Sequence, residues 1–383
     1  MKMPGKKSLA LHKKYKGKLE TISKVPLENC DDLALAYTPG VGEVCKMVGR
    51  DGRFARDYTI KGNTVAVITD GSAVLGLGNI GPLAALPVME GKAILLKKFA
   101  DIDAFPICLN TQDVEKIIQT VKIIAPVFGA IQLEDISAPR CFEIEKRLQQ
   151  ELDIPVLHDD QHSTAVVVLA ALINALKCVR STPYTLPPTR LQIIINGAGA
   201  AGIGIARLLL AYGFKNLTIL DSHGSIYRGR KGLTAEKLEL AKKTNQKKLK
   251  GGLEICLKNA DVFIGVSKAG LLKPAMVKSM NQNPIIFALA NPTPEIMPDL
   301  AKKAGAFIIA TGRSDFPNQI NNVLSFPGIF RGALDNRVRI ITQPMLIKVA
   351  TNLAALVINP NPTKILPSLF DKKVVSTVAK AIN

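Results

Sequence analysis

Acidic residues stand where two predicted strands of this chain end. "LEDISAP" places Glu134 and Asp135 at the end of one strand, and "VLHDDQHS" places Asp159 and Asp160 at the end of another. In open α/β sheets, ligands bind at the carboxyl ends of the strands. Because adjacent strand residues point to opposite faces, Glu134 and Asp135 can converge on one ion only where the strand has given way to a turn.

These carboxylates predict a site for a hard divalent ion. Three carboxylates that are not accompanied by a set of cysteine or histidine ligands favour Mg²⁺ or Mn²⁺ in oxygen coordination, with room for substrate and water. His158 and His162 flank Asp160 and would suit zinc, but we interpret them as orienting neighbours or capping the helix that begins near Ser163. Helix N-capping by the carboxylates, without an ion, is the alternative.

The stretch "GAGAAG" at residues 197–202 predicts a dinucleotide-binding loop. The buried-type strand "LQIIIN" precedes it, the helix "IGIARLLLAYG" follows it, and Asp221 ends the next strand, "NLTIL". Gly197 gives the tight turn, Gly199 lets the backbone approach the pyrophosphate, and Gly202 lets the helix pack closely on the sheet. Asp221 can accept hydrogen bonds from the adenosine ribose hydroxyls.

A second stretch with the same glycine spacing, "GLGNIG" at residues 76–81, fails these conditions. "DGSAVL" separates its glycines from the strand "VAVIT", and a proline follows at once, so no clean strand-to-helix turn is expected. Asp103, at the end of "AILLKKFADID", could imitate the ribose acid. We instead expect Gly76, Gly78 and Gly81 to permit unusual dihedrals and close backbone packing at the active cleft; a glycine-rich turn without ligand contact is the alternative.

The elements that must position these residues form two α/β series. Between residues 64 and 164, short β-rich runs alternate with helix-like segments, which indicates a parallel sheet layered by helices; the runs are "VAVIT", "AILLKKF", "GAIQLED" and "IPVLH". A second series follows the loop signal "STPYTLPPT" at residues 181–189. Its buried-type strands are "LQIIIN", "NLTIL", "ADVFIGV", "PIIFAL" and "AFIIAT".

We therefore predict an α/β protein with an N-terminal α/β catalytic domain and a Rossmann-type, doubly wound NAD(P)-binding domain. A chain of 383 residues exceeds the length at which one hydrophobic core stops growing. The predicted domains are residues 1–162 and 163–341, followed by a helical segment, residues 342–383, that packs back on the first domain.

Composition narrows the partners and the compartment. Fifty basic against 31 acidic residues give a net charge of +19, but the chain has no tryptophan to stack on bases, so we interpret the lysines as a solvated surface and expect no nucleic-acid partner. The longest apolar run, residues 164–176, is too short to span a bilayer. The six cysteines show no paired spacing and are interpreted as reduced core residues, and we predict a cytoplasmic protein without a membrane partner.

Eight blocks of sequence, taken in order, closely resemble malic enzyme of the short bacterial and archaeal type, from about residue 9 to the end. They are "YTPGVGEVC", "TDGSAVLGLGNIGPLAALPVMEGKA", "LEDISAPRCFEIEKRL", "VLHDDQHSTA", "INGAGAAGIGIARLL", "LDSHGSIYRGR", "ALANPTPEI" and "QINNVLSFPGIFRGALD". The resemblance implies oxidative decarboxylation of (S)-malate to pyruvate and CO₂, with NAD⁺ or NADP⁺ and Mg²⁺ or Mn²⁺, in a homodimer or a higher homo-oligomer.

The resemblance also implies roles for individual residues. Tyr37 matches the general acid and Lys92 the general base, which also binds substrate, and Glu134, Asp135 and Asp160 match the metal ligands. Asn291 and Asn321 or Asn322 match the contacts to the substrate carboxylate. The cofactor-binding residues are Gly197, Ala198, Gly199, Ala200, Ala201, Gly202, Asp221 and Asn291.

The implied chemistry sets demands on these groups. Lys92 must be neutral to accept the C2 hydroxyl proton, and a desolvated site beside a cation lowers the pKa of a lysine in that direction. The metal then acts as electron sink for the loss of CO₂, and Tyr37 protonates C3. Taken singly, Tyr37 is a common packing residue, Lys92 a solvated lysine and Asn291 a turn residue before proline.

Two positions depart from the family pattern, and cofactor choice stays open. Ala73 stands where larger malic enzymes carry an arginine that holds malate, and Ser163 replaces a usual glycine at the expected helix start. Asp221 favours NAD⁺ because a carboxylate repels the 2′-phosphate of NADP⁺, but His223, Arg228 and Arg230 are close in sequence.

Two rival functions remain at this stage. One is a metal-dependent 2-hydroxy-acid dehydrogenase or an oxaloacetate decarboxylase that lacks the coupled step. The other is a catalytically silent, basic protein that senses nucleotides or binds nucleic acid.

Overall fold

The protein is described by a computed structural model that covers residues 4–180 and 190–383. It contains two sheets, one of four and one of six strands, which confirms the predicted α/β class. The predicted loop at residues 181–189 lies outside the described residues. The predicted domain boundaries stay a prediction, although the last strand of the first sheet ends at His158 and the first strand of the second begins at Ile193.

Residues 4–63, called the N-terminal arm below, precede the first sheet. The arm contains four helices, α1 (Pro4–Tyr15), α2 (Cys30–Ala36), α3 (Val41–Arg50) and α4 (Ala55–Tyr58), and short 3₁₀ turns at Gly52–Phe54 and Ile60–Asn63. None of residues 5–63 is buried. Many large apolar side chains of the arm are exposed, including Leu9, Ile22 and Leu35 at 74%, 85% and 78%.

The first sheet is parallel and has the strand order β2-β1-β3-β4. Its elements are β1 (Thr64–Thr69), α5 (Pro82–Ala100), β2 (Asp103–Cys108), α6 (Val114–Ile124), β3 (Ala130–Leu133), α7 (Arg140–Glu151) and β4 (Val156–His158), with a 3₁₀ turn at Ala125–Val127. Because all four strands run the same way, their carboxyl ends meet at one edge of the sheet.

The prediction of a strand at "AILLKKF" is wrong, because residues 93–99 lie inside α5. The buried positions of α5 include Met89, Ala93, Leu96 and Ala100, which recur with the period of a helix. The missing strand is β2, and Asp103 begins it rather than ending a strand. Asp103 pairs with Lys24 and Lys97, so it does not imitate a ribose acid.

A long central helix, α8 (Asp159–Arg180), links the two sheets. It begins four residues before the predicted start at Ser163. It is long and apolar enough to cross a membrane by length and composition, but 78% of its apolar window is buried inside the fold. One hydrophobic core runs from Val67 of the first sheet through Val168 of α8 to Ile193 of the second sheet.

The second sheet has the strand order β10-β9-β8-β5-β6-β7, antiparallel only at β6-β7. Its elements are β5 (Ile193–Asn196), α9 (Ala200–Tyr212), β6 (Leu217–Asp221), β7 (Gly224–Ser225), α10 (Ala235–Lys243), α11 (Leu253–Leu257), β8 (Val262–Gly265), α12 (Pro274–Lys278), β9 (Ile285–Ala288), α13 (Pro298–Lys303) and β10 (Ile308–Thr311). All five predicted strands are present. The chain order reverses between β5 and β8, which is where a dinucleotide binds in this architecture.

The chain ends in a 3₁₀ turn at Asn322–Leu324 and three helices, α14 (Phe326–Asp335), α15 (Gln343–Ala355) and α16 (Lys373–Ala379). The predicted amphipathic helix is α15, and it packs on α8 and α9. Phe370 contacts Phe99 of α5, and α14 packs on α5 and β3. The C-terminal segment therefore touches both halves of the molecule.

The buried Asn174 of α8 ties the C-terminal segment to the core. Its Nδ2 donates to the carbonyls of Ala354 and Ile365, at 2.8 and 2.9 Å. We expect Asn174→Ala to lower the free energy of unfolding by about 2–4 kcal/mol, because it removes the side-chain donor to two buried carbonyls and creates a small cavity. Urea unfolding followed by circular dichroism measures this; the exposed Thr351→Ala on α15 is the control, expected within about 0.5 kcal/mol of wild type. An equal effect of both variants would refute the assigned role.

Candidate active site

A cleft between the two sheets collects residues from both halves of the chain. Its cavity of about 570 Å³ is lined on one side by Lys92, Glu134, Asp135 and Asp160, and on the other by the loops that follow β5, β8, β9 and β10. Of the predicted site residues, Gly199, Ala200, Ala201, Asn291, Asn321 and Asn322 also line it.

Three carboxylates meet at the edge of the first sheet. Glu134, Asp135 and Asp160 each offer an oxygen, and these oxygens lie within 4.8 Å of one another. Glu134 still continues the β3 ladder, but Asp135 has φ +54°, so the strand has given way to a turn at that residue. The turn is the condition under which we expected two adjacent acids to face one ion.

The arrangement fits a hard divalent ion. The Oδ2 atom of Asp135 is buried and has no hydrogen-bond partner among the described residues. Burial and the neighbouring Asp160 raise the pKa of Asp135 to about 8, and burial raises the pKa of Glu134 well above its usual value. The cluster is therefore short of positive charge, and an oxygen-preferring cation matches its donor set.

Lys92, on α5, is the cationic side chain that contacts the acidic cluster. Its Nζ lies 3.0 Å from Glu134 Oε1 and 2.5 Å from Asp159 Oδ2. Burial acts to lower the pKa of Lys92, but Asp159 and Glu134 outweigh it and raise that pKa above its usual value. This differs from the lowered pKa that we expected, because that expectation placed a cation beside Lys92 and the structure places acids there.

The sequence-based site omitted Asp159. Its side chain is fully buried, accepts from Lys92 and from the side-chain amide of Asn322, and leaves Oδ1 without a hydrogen-bond partner among the described residues. The signal was present as the first aspartate of "HDDQH". Because Asp159 begins α8, its neighbour Asp160 faces the other two acids while Asp159 faces Lys92.

Glu145, a second omitted residue, holds the start of α8 from behind. Its carboxylate accepts from the backbone N–H of His158 at 2.7 Å and from Gln161 Nε2 at 3.0 Å, and it pairs with His162 Nε2 at 2.9 Å. Burial opposes both charges, yet the pair lowers the pKa of Glu145 and raises that of His162. His162 thus orients a neighbour, as expected. Ser163 does not cap the helix, because it is buried inside α8.

The loop at 197–202 has the geometry that a pyrophosphate requires. Gly197 has φ +123°, and a Cβ there would lie 2.5 Å from the carbonyl oxygen of Val266. A Cβ on Gly202 would lie 1.8 Å from the carbonyl oxygen of Gly197, whereas Gly199 faces open space. Gly197 and Gly202 therefore shape the loop, Ala198 is buried beneath it, and Gly199 leaves room for a ligand.

The first glycine stretch supports the cleft from the other side. Gly76, Gly78 and Gly81 all have positive φ, between 74° and 82°, as expected. A Cβ on Gly76 would lie 2.4 Å from the carbonyl oxygen of Asn291, so this glycine allows the two halves of the cleft to approach closely. The helix does begin directly after Gly81, with Pro82 at its first position, but twelve residues separate it from β1.

Asp221, at the end of β6, is engaged by two cations. Its carboxylate pairs with Arg230 Nη2 at 2.7 Å and with Lys237 Nζ at 2.9 Å, and it accepts from the backbone N–H of His223. Burial acts to raise the pKa of Asp221, but the hydrogen bonds from Lys237 and Arg230 lower it. The contact with Lys237 could not be anticipated from the sequence, since it depends on where α10 packs.

The structure differs from what we expected for two sets of residues, Tyr37 and the cysteines. Tyr37 closes α2 in the N-terminal arm, is 66% exposed and is not among the residues that line the cleft. The expectation that the cysteines are core residues is wrong for Cys30 and Cys45, which are exposed in the same arm, whereas Cys141, Cys178 and Cys256 are buried.

Comparisons with known proteins agree over the whole fold. A family model described as "Malic enzyme, N-terminal domain" matches residues 16–149, and one described as "Malic enzyme, NAD binding domain" matches residues 161–383. The chain is 55% identical over 378 residues to a bifunctional malic/malolactic enzyme of Bacillus subtilis, covering 98% of this chain and 91% of that protein. It is 56% identical over 368 residues to an NAD-dependent malic enzyme of Geobacillus stearothermophilus, covering 96% and 76%. A solved NAD-dependent malic enzyme from Thermotoga maritima superposes with a TM-score of 0.94 at 50% identity, covering 98% of each chain.

The acidic cluster predicts opposite effects of one substitution with and without metal. Burial and Asp160 disfavour the charged form of Asp135, and asparagine resembles its neutral form, so without metal we expect Asp135→Asn to be at least as thermally stable as wild type. We expect Mn²⁺ to raise the melting temperature of wild type, because it binds only the folded state, and to have little effect on the variant. Differential scanning calorimetry with and without Mn²⁺ checks both. Glu254→Gln, an exposed acid on α11, is the control and should keep the full Mn²⁺ effect; a full effect in Asp135→Asn would contradict the assignment.

Proposed function

The chain belongs to the malic enzyme family, and on this premise we propose that it oxidatively decarboxylates (S)-malate to pyruvate and CO₂ while reducing NAD⁺ or NADP⁺, in dependence on Mg²⁺ or Mn²⁺. One observation carries the proposal. The carboxylates of Glu134, Asp135 and Asp160, the amine of Lys92 and the loop at residues 197–202 all face the same cleft.

Lys92 is proposed to take the proton from the C2 hydroxyl of malate. In the structure, ion pairs with Glu134 and Asp159 hold Lys92 in its protonated form. Lys92 must lose that proton to act as a base, so this role requires that another cation balance the charge of Glu134. Asp159 Oδ2 accepts a hydrogen bond from Nζ at 2.5 Å and so fixes the position of the amine that lines the cleft. A divalent ion at the three carboxylates supplies the charge that favours decarboxylation, and a bound nicotinamide supplies the hydride acceptor.

Amide side chains are proposed to hold the substrate carboxylate. Asn291 and Asn321 line the cleft opposite the acids, and Asn321 is fixed by accepting from the backbone N–H of Val323. Asn322 faces the same cavity while donating to Asp159. Amides orient a carboxylate without adding charge. This suits the cleft, because Lys92 is the single cation among the described residues that line it.

A homodimer is proposed as the functional unit. The N-terminal arm exposes a series of large apolar side chains that a partner surface would cover; they include Leu9, Leu11, Leu19, Ile22, Val25, Leu27, Leu33 and Leu35. A second copy of the chain offers the same arm, and isologous contact would cover both.

The homodimer also gives Tyr37 a place to act. In its own chain Tyr37 is exposed on the arm and outside the cleft. We propose that the arm carries Tyr37 into the cleft of the second copy, where its hydroxyl donates the proton to C3. Each active site would then need Lys92 from one chain and Tyr37 from the other.

We propose that the protein is a cytoplasmic enzyme without a nucleic-acid or membrane partner. Burial of α8 supports the absence of a membrane partner, because the apolar surface of this helix is covered by the core.

The first test is an assay of malate with NAD⁺ and with NADP⁺, each with and without Mn²⁺. We expect CO₂ and reduced cofactor in a one-to-one ratio, only when metal is present. Keto acid without CO₂ would favour the hydroxy-acid dehydrogenase, and CO₂ with lactate would indicate the malolactic route named for the Bacillus subtilis relative. Lys92→Met should reduce turnover by about 10²–10⁴-fold with cofactor affinity unchanged; unchanged activity, or salt-dependent DNA binding without malate oxidation, would favour the silent basic protein.

The second test asks whether Tyr37 acts across the dimer. Tyr37→Phe and Lys92→Met homodimers should each be inactive. A heterodimer of the two, purified through different tags, should recover about half of wild-type activity, because one of its two sites is intact. The reciprocal control pairs wild type with the Tyr37→Phe/Lys92→Met double variant and should be inactive. If Tyr37 serves its own chain, the two heterodimers will show the reverse result.

A further inference from the structure

A buried carboxylate, Glu295, lies behind the loops on the cofactor side of the cleft, and the chemistry proposed above does not use it. Its side chain is fully buried, and no cationic side chain of the described residues pairs with it. Burial raises the pKa of Glu295, although the backbone N–H groups that donate to it act to lower that pKa. A buried acid without a cation is costly, so the contacts that it makes instead indicate its role.

The two oxygens of Glu295 join two loops of the second sheet. Oε1 accepts from the backbone N–H of Ser267 and Oε2 from that of Ala290, each at 3.0 Å. Ser267 belongs to the loop after β8, and Ala290 belongs to the loop after β9. Both residues line the cleft, together with their neighbours Val266 and Asn291. Glu295 therefore holds together the two loops that lie opposite the acids.

The fold leaves room for this carboxylate and fixes its backbone. Gly265 ends β8, and a Cβ there would lie 2.4 Å from Glu295 Cδ, so only glycine fits at this position without displacing the acid. The backbone carbonyl of Glu295 accepts from the N–H of Leu272 at 3.0 Å. The acid is thus held in place by the chain itself, before any ligand binds.

The loop after β8 also supports the glycine loop. Val266 lies directly beneath Gly197, whose missing Cβ would meet the Val266 carbonyl oxygen, and Asn196 Nδ2 donates to Ser267 Oγ at 2.9 Å. In this architecture a dinucleotide binds across the strand ends at the reversal of strand order, here β5 and β8. A shift of Ser267 would therefore move the surface on which a dinucleotide rests.

We propose that Glu295 is a positioning residue for the cofactor, which fixes the loops after β8 and β9 in their binding geometry before the dinucleotide arrives. It acts through the backbone of Ser267 and Ala290. An amide cannot replace it, because an amide has one acceptor oxygen and its NH₂ group would face the second backbone N–H as donor against donor. The inference rests on the proposed function only in assuming that a nicotinamide dinucleotide binds at these loops.

The first test measures two dissociation constants without malate, that of NADH by fluorescence titration and that of Mn²⁺ by electron paramagnetic resonance. We expect Glu295→Gln to weaken NADH by about tenfold or more, because one buried N–H loses its acceptor. The constant for Mn²⁺ should stay within about threefold of wild type, because neither loop carries one of the three clustered acids. Asp299→Asn, an exposed acid on α13, is the matched control and should change neither constant.

The outcomes separate positioning from a purely structural role and from the proposed function. A lower melting temperature of Glu295→Gln with an unchanged NADH constant would overturn the inference, as would equal weakening of NADH and Mn²⁺. If the expected loss of NADH affinity is found but malate is not oxidised, the inference stands and the proposed function fails. Absence of NADH binding by wild type would overturn both.

A second measurement uses wild type alone and so applies even where Glu295→Gln does not fold. Hydrogen exchange is followed by mass spectrometry of short peptides that contain Ser267 or Ala290, with and without NADH. We expect the N–H groups of both residues to exchange slowly in the free protein already, because their acceptor belongs to the chain. Fast exchange in the free protein, with protection only after NADH is added, would overturn the inference.

Discussion

The structure depends on the placement of three buried carboxylates and one half-buried carboxylate around one lysine at the junction of its two halves. Lys92 pairs with Glu134 and Asp159, while Asp135 and Asp160 lie beside Glu134 without a cation of their own among the described residues, so the cluster has more carboxylates than the chain balances. Such a group is costly to keep out of water unless a cation completes it. The surrounding fold fixes it in place, through the parallel strand ends in front and the Glu145 carboxylate behind.

The second half of the molecule is held against this cluster by a continuous core. Helix α8 begins with the two aspartates and packs along its length on α9 and α15, so the acids and the glycine loop are parts of one rigid unit. Gly76 approaches the backbone of Asn291 where the halves meet. This close approach sets the acids of the first half opposite the loops of the second half across one cavity.

Local signals predicted more of the molecule than signals that depend on tertiary contacts. The loop at Gly197 was predicted because strand, glycines and helix lie next to one another in sequence. "AILLKKF" was misassigned because a short apolar run is ambiguous between strand and helix until its packing is known. The partners of Asp221 and the raised pKa of Lys92 arise from side chains that only the fold brings together. Tyr37 is exposed because it lies on an arm whose large apolar side chains are not covered by other described residues of the chain.

The central claim is that the acids ending two separate strands share one divalent ion within reach of Lys92. Anomalous diffraction from crystals grown with Mn²⁺ and reduced cofactor tests it most directly. The account predicts one manganese peak bonded to oxygens of Glu134, Asp135 and Asp160 at about 2.0–2.3 Å, with the nicotinamide in the same cleft. A manganese peak elsewhere, or no peak at these three acids at saturating Mn²⁺, would contradict it.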